Sequence, residues 1–321
     1  MKEYIIGKNE AGQRFDKYIF KLLKNAGTGL IFKQLRNKNI VLNGKKAKGN
    51  EILKENDSVR IFMSDDTINK FTGGPLHISK TGFRLDVIYE DDDILLASKP
   101  VGVLSQKSSD KDISMNEYLI EYLTDNGFGK ENLATFKPSF CNRLDRNTSG
   151  LMIAGKSLRG LQKMSEIIKD RSIHKFYLTI VKGIVDKKSV IKGYLRKDEK
   201  NNKVVIYDNP VKDSYEIHTE YEPLATKDDM TLLKVRLITG KTHQIRAHLA
   251  GISHPVLGDF KYGDKVFNEK YGEKKQLLHS YQVVFPKLDD FPDISEKSFN
   301  TPYPVNFTKY FKETILSNQI Y

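Results

Sequence analysis

The chain has 321 residues, 39% of them hydrophobic and 29% charged, and 53 Lys+Arg against 41 Asp+Glu leave a formal net charge of +12. This length makes two domains the default and supplies enough apolar residues for a packed core, which excludes both a disulfide-stapled mini-protein and a wholly disordered tail. The single cysteine, Cys141, excludes an intrachain disulfide and an all-cysteine zinc site. With a polar N-terminus and no stretch near the ~20 apolar residues of a membrane helix, the expectation is a soluble cytoplasmic protein without a membrane partner.

The charge is unevenly spread. Residues 1–63 hold 14 Lys+Arg and 6 Asp+Glu, a net of +8, leaving +4 for the rest. A small basic module with a polyanionic partner, joined to a nearly balanced larger domain, fits that division, and on charge alone so does a merely soluble lysine-rich surface. Within the module Phe15, Ile19, Leu22 and Leu23 mark one helix face, and Gly27-Thr28-Gly29 interrupts it. A second short helix carries Leu30, Ile31 and Leu35 inward, with Lys33, Arg36 and Lys38 left for solvent or ligand. Ile40 to Leu42 reads as a strand, Asn43-Gly44 as a tight turn followed by Lys45, Lys46 and Lys48, and Ser58 to Phe62 as another strand. The six basic side chains, Lys33, Arg36, Lys38, Lys45, Lys46 and Lys48, are the expected phosphate contacts to RNA. The segments Leu30 to Arg36 and Val41 to Lys45 resemble the RNA-binding domain shared with ribosomal protein S-four, over residues 13–63. Thr28-Gly29 and Asn56-Asp57 depart from the usual Ser-Arg and Gly-Asp of such modules.

Residues 64–84 are polar and irregular, with Thr72-Gly73-Gly74-Pro75, and read as a linker. Residues 85–321 form the second domain. Leu85 to Tyr89 and Ile94 to Ser98 flank an acidic turn as a β-hairpin, and Ile113 to Leu123 and Ser157 to Lys169 read as helices. Strand-like runs follow at Phe176 to Val181, Val204 to Tyr207, Tyr215 to Tyr221, Leu232 to Ile238 and Gln282 to Phe285. Strands outnumber helices without alternating with them, which predicts an α+β fold with a mainly antiparallel mixed sheet rather than a doubly wound parallel one. Residues 287–321 carry no motif.

Two segments carry chemistry. In Arg143-Leu144-Asp145-Arg146-Asn147-Thr148-Ser149-Gly150 an acid lies between two arginines, which would hold it as a carboxylate fit to act as nucleophile or base. Taken alone, such a cluster also reads as a solvated ion-pair group. In Thr239 to Gly251, Gly240-Lys241-Thr242 lacks the second glycine of a phosphate loop, because Val235 stands there. His243 and Arg246 share a helix face apart from Ile245, Leu249 and Ile252, so a guanidinium can be offered to a carboxylate. The spacings of His243, His248 and His254 match no helical zinc pair, so no metal is expected; Cys141 reads as packed, and Ser149 lacks the elbow of a hydrolase.

In order, Arg143-Leu144-Asp145-Arg146-x-Thr148-Ser149-Gly150, Lys175-Phe176-Tyr177, His243-Gln244-Ile245-Arg246-x-His248 and His254-Pro255-Val256-Leu257-Gly258-Asp259 resemble the pseudouridine synthases of the RluA/RluC/RluD family, over most of residues 85–286. The resemblance implies an RNA isomerase that needs no cofactor, with Asp145 as the catalytic carboxylate, Arg246 as its basic partner and Tyr177 as the aromatic against the uracil. It also implies that Arg143 enters the gap left by a flipped-out uridine. Asn142 stands where the family often has histidine. Leu30 to Ile40 and Asn201 to Val204 look closest to RluC-type members, implying large-subunit (23S) ribosomal RNA as partner; the alternatives are a tRNA target or a catalytically silent RNA-binding assembly factor.

Overall fold

The computed structural model describes residues 1–73, 80–129 and 133–318. The basic N-terminal stretch folds as β1 (Lys2–Ile5), α1 (Phe15–Leu22), α2 (Thr28–Arg36), β2 (Ile40–Leu42), β3 (Lys45–Lys46), β4 (Ser58–Ile61) and α3 (Asp65–Thr72). Its strands make one sheet in the order β1-β4-β2-β3. Phe15, Ile19 and Leu22 form the buried face of α1 and pack with Ile31, Leu35, Ile40, Val59 and Ile61. Asn43 and Gly44 join β2 to β3 with φ of 51° and 72°. Two successive positive φ values are those of a type I′ hairpin turn, the reason for Asn-Gly at this point.

Three details of this region differ from the sequence reading. Gly27 is the N-cap of α2, and Thr28 and Gly29 are its first residues rather than an interruption. Leu30 is only half-buried, because Ile31 and Leu35, four apart, already fill the inward stripe. The stretch expected to be irregular from Ser64 begins as α3: the Ser64 hydroxyl accepts from the Thr67 N–H, and Asp65 and Asp66 lie in the first turn, where the helix dipole favours acids. Its Ile68 is buried in the same core, and Gly73 in the left-handed region ends it. Gly74 and Pro75 of the expected linker lie outside the described residues.

The remaining elements are β5 (Asp86–Glu90), β6 (Ile94–Lys99), α4 (Met115–Asp125), β7 (Ser139–Phe140), β8 (Ser149–Gly155), α5 (Leu158–Lys169), β9 (His174–Lys182), β10 (Ser189–Asp198), β11 (Lys203–Tyr207), β12 (Tyr215–Lys227), β13 (Met230–Leu237), α6 (Gln244–Gly251), α7 (Lys265–Tyr271), β14 (Leu278–Val284), β15 (Ser298–Asn300) and α8 (Val305–Asn318). Nine strands follow the order β11-β10-β12-β13-β9-β14-β8-β6-β5, with β15 on β14 and β7 on β8. Every named pairing is antiparallel except β14 with β8. The fold is therefore α+β with a mainly antiparallel mixed sheet.

Period-two alternation explains how the centre of this sheet is buried on both faces. On β6 and β8, Leu95, Ala97, Met152 and Ala154 enter a core with Leu119 and Leu123 of α4. Their alternates Ile94, Leu96, Leu151 and Ile153 enter another core with Met164 and Ile167 of α5. Several elements, β1, α7 and β15 among them, had no sequence signal, and the two longest of these are β10 and α8. β10 is a half-exposed strand with Gly193 at one of its buried positions, and α8 buries Phe307, Phe311 and Ile315 against Leu178 and Leu232 of the sheet.

Candidate active site

Residues 141–148 form the loop that joins β7 to β8, whose first residue is Ser149. Backbone hydrogen bonds anchor it at both ends: Cys141 N–H donates to the Ile153 carbonyl at 2.7 Å, and Thr148 N–H to the Asp145 carbonyl at 3.0 Å. Asn142 has a local task, since its Oδ1 accepts the Ile153 N–H at 2.8 Å. Ser105 holds the middle of the loop, accepting from Leu144 N–H at 3.0 Å and donating to the Leu144 carbonyl at 2.8 Å. Below it Lys99 is fully buried and donates to the carbonyls of Pro100, Val103 and Arg146 at 2.9, 2.7 and 3.0 Å. Burial, opposed by the attraction of Asp145, lowers the Lys99 pKa to about 8.

Gly150, the second residue of β8, has φ 106°, and a Cβ there would run into the backbone of Ser280. The missing side chain lets β14 lie against the start of β8, with Ser280 opposite Gly150 and, on its other side, opposite Tyr177 of β9. The first motif and Tyr177 are thus two strands apart, which carries the aromatic to the acid. Tyr177 is buried, and burial pushes its hydroxyl pKa up to about 12.

The partner of Asp145 comes from elsewhere in the chain. Arg246 on α6 donates through Nη1 to Asp145 Oδ2 at 2.7 Å. Its other edge makes a bidentate pair with Asp259, Nε to Oδ2 at 2.7 Å and Nη2 to Oδ1 at 2.8 Å. Asp259 Oδ1 also accepts the N–H groups of Lys261 and Tyr262 at 2.8 and 3.2 Å. Burial alone would lower the Arg246 pKa and raise that of Asp259. The bonds between them outweigh it in both, so Arg246 is raised and Asp259 lowered. The three groups form a line from interior to surface: the Asp259 side chain is 0% exposed, Arg246 8% and Asp145 25%. A guanidinium gripped on one edge by a buried carboxylate presents its remaining N–H at a fixed angle, so the outer carboxylate is aimed before any substrate arrives.

The flanking arginines do not do this. Arg146 turns its Nε to the Gly102 carbonyl at 3.0 Å, and Arg143 is exposed with no side-chain bond among the described residues. Lys33, Arg36, Lys38, Lys45, Lys46 and Lys48 are likewise exposed, without side-chain hydrogen bonds or ion pairs among the described residues. The three histidines diverge: His243 Nδ1 meets the Tyr262 hydroxyl at 2.9 Å, His248 Nδ1 meets Thr219 Oγ1 at 3.0 Å and His254 Nδ1 meets the Lys182 carbonyl at 2.8 Å. Burial raises the Cys141 pKa to about 11, which leaves a packed thiol. Sequence reasoning missed Asp259, Lys99 and Tyr262 as parts of the site. Asp259 lay in a quoted motif, but thirteen residues from Arg246 no periodicity connects the two.

A profile of the RNA pseudouridylate synthase family matches residues 93–251, which include Asp145, Tyr177 and Arg246. An uncharacterized RNA pseudouridine synthase of Mycoplasma genitalium is 31% identical over 304 residues, 92% of this chain and 93% of that protein. The chain belongs to the RNA pseudouridine synthases. More specifically it is an RluA/RluC-family pseudouridine synthase, an isomerase acting on RNA: the ribosomal large subunit pseudouridine synthase C of Pasteurella multocida is 28% identical over 89% of this chain and 86% of its own length. The synthase also shares its fold with the solved human RNA pseudouridylate synthase domain containing 4, at a TM-score of 0.56 and 20% identity over 72% of this chain and 92% of that one. Among the described residues no helix of the synthase is long and apolar enough to cross a membrane.

Proposed function

We propose that this pseudouridine synthase modifies uridines of large-subunit (23S) ribosomal RNA in the cytoplasm, with Asp145 as its catalytic carboxylate. The observation that carries the site assignment is the Asp145–Arg246–Asp259 line, whose outermost carboxylate alone is open enough to reach a nucleotide. The choice of RNA is supported by relatives that bear the name ribosomal large subunit pseudouridine synthase C, among them those of Pasteurella multocida and Haemophilus ducreyi.

The reaction breaks the bond from C1′ to N1 and forms one from C1′ to C5; N1 gains a proton and C5 loses one, so nothing is oxidised and no atom is added. Asp145 acts at the ribose, and Arg246 keeps its carboxylate aimed and its charge balanced. Tyr177, with its phenol kept neutral by burial, supplies the face against which the freed uracil turns. Arg143, exposed beside the acid, fills the space left by the flipped uridine. Residues 1–73 serve as the RNA-binding module, with Lys33, Arg36, Lys38, Lys45, Lys46 and Lys48 against the phosphates.

The test incubates purified protein with 23S ribosomal RNA transcript, large-subunit precursor particles and tRNA, then maps pseudouridine by carbodiimide-dependent reverse-transcription stops. Stops on 23S RNA that vanish with Asp145→Asn are expected. Stops confined to tRNA would overturn the target, stops that persist with Asp145→Asn would overturn the residue's role, and tight binding without stops on any RNA would identify a silent assembly factor.

A further inference from the structure

The backbone at His243 has φ of 55° and ψ of 12°, a left-handed conformation at a non-glycine residue, and its side chain caps nothing on α6. Such a conformation costs on the order of 1 kcal/mol or more and persists only where the surroundings hold it. The Tyr262 hydroxyl accepts the Val204 N–H at 2.8 Å, which leaves its own proton for His243 Nδ1, 2.9 Å away. With Nδ1 as the acceptor of that proton, the ring proton lies on Nε2. Burial, opposed by Asp145, lowers the His243 pKa, so the ring is neutral near pH 7. Nε2 stands 3.9 Å from Asp145 Oδ2, the oxygen already bonded to Arg246.

That separation is too long for a direct hydrogen bond, yet it suits one bridging group. The bridge must accept from Nε2–H and donate to a carboxylate. A uracil carbonyl only accepts and a phosphate oxygen only accepts, whereas a ribose hydroxyl does both. The 2′-hydroxyl is the one on the carbon next to the bond that breaks.

We propose that His243 is a ribose-binding residue of the reaction, its Nε2–H holding the 2′-hydroxyl of the target uridine against Asp145, in a tautomer set by Tyr262 and Val204. This inference rests on the reading of Asp145 as the catalytic carboxylate. It gives a use to the strained backbone that accompanies the contact with Tyr262 and the approach to Asp145, and it gives the site a means of sensing ribose.

The experiment measures single-turnover rates on the RNA fragment that carries the mapped uridine and on the same fragment with 2′-deoxyuridine at that position. On the native fragment His243→Ala is expected to slow the reaction roughly tenfold to a hundredfold, the worth of one or two hydrogen bonds at the reacting sugar. On the deoxy fragment wild type and His243→Ala should agree within about threefold, because the group that His243 binds is absent. His243→Gln, which keeps a donor, should recover part of the rate. Tyr262→Phe should lose part of it and add no further loss to His243→Ala. Circular dichroism checks folding; were His243→Ala unfolded, the native-to-deoxy ratio of Tyr262→Phe, reduced from that of wild type, carries the test. Equal slowing on both fragments, or a native rate within threefold of wild type, overturns the proposal. Asp145→Asn run in parallel separates the two readings: if it is inactive while His243→Ala is normal, only the ribose contact is wrong, and if it is active the role of Asp145 falls first.

Discussion

Asp259→Asn is the sharpest test of the line of charges, because it changes one buried atom pair and keeps the side-chain shape. The native carboxylate is 0% exposed and accepts two bonds from Arg246, at 2.7 and 2.8 Å, and two from the backbone N–H groups of Lys261 and Tyr262. An asparagine retains one oxygen. If that oxygen stays with the two backbone N–H groups, the amide nitrogen faces Arg246 Nε, donor against donor; if it turns to Nε, the backbone pair loses its acceptor. Either way Arg246, 8% exposed, keeps Asp145 as its one carboxylate. Removing one partner of a buried ion pair costs about 3–5 kcal/mol. The surviving bond to Asp145 puts this site at the lower end, about 3 kcal/mol. Urea denaturation followed by circular dichroism at pH 7 reads that loss. Because the guanidinium is no longer gripped on its inner edge, pseudouridine formation, measured where both proteins are fully folded, should fall by roughly a hundredfold, equivalent to about 2.7 kcal/mol of transition-state stabilisation. A variant within about 1 kcal/mol in stability and threefold in rate would show that Arg246 needs only Asp145 and that Asp259 does not hold it in place.

His279 joins the catalytic loop to the C-terminal segment, with Nδ1 2.8 Å from Ser149 Oγ and Nε2 2.6 Å from Thr301 Oγ1, and burial pushes its pKa down to about 3. The unfolded chain binds the proton near pH 6.5 while the folded one does not, so stability falls as pH drops below about 6.5; from pH 7 to pH 5 this one group accounts for about 2 kcal/mol. Denaturant titrations at both pH values should show that His279→Gln loses this part of the fall, and equal falls in variant and wild type would refute it. In the module, changing Lys45, Lys46 and Lys48 together to Ala should weaken RNA binding and flatten the slope of log K against log salt by up to about 2, with the melting temperature unchanged; a filter-binding series at several salt concentrations checks this, and an unaltered slope would remove these lysines from the interface.

Local features of the fold were legible because their causes are local. The α1 stripe follows from a repeat of 3.6 residues, and the turn at Asn43-Gly44 from two positive φ values that few other pairs tolerate. α3 reads as linker in sequence although Ser64, Asp65 and Asp66 are good first-turn chemistry, because seven of the nine residues from Ser64 to Thr72 are polar and Gly-Gly-Pro follows. β10 and α8 were not legible, since one is a partly exposed strand with glycine at a buried position and the other gains its burial only against the sheet.

The sequence by itself determined which kinds of group the protein possesses: a basic first fifth, the ordered motifs with Asp145, Tyr177 and Arg246, and a pattern of strands that excludes a doubly wound sheet. Tertiary structure decided which of those groups meet. Adjacency along the chain offered Arg143 and Arg146 to Asp145 and the family motifs offered Arg246; the folded chain pairs it with Arg246, 101 residues away, and adds Asp259, which grips that guanidinium from within. Gly150 allows β14 to close on β8, and that parallel pairing sets Tyr177 two strands from the loop. Helix and turn signals act over a few residues and can be read from neighbours, whereas an ion pair depends on strand order and close backbone approach, which only the folded chain supplies.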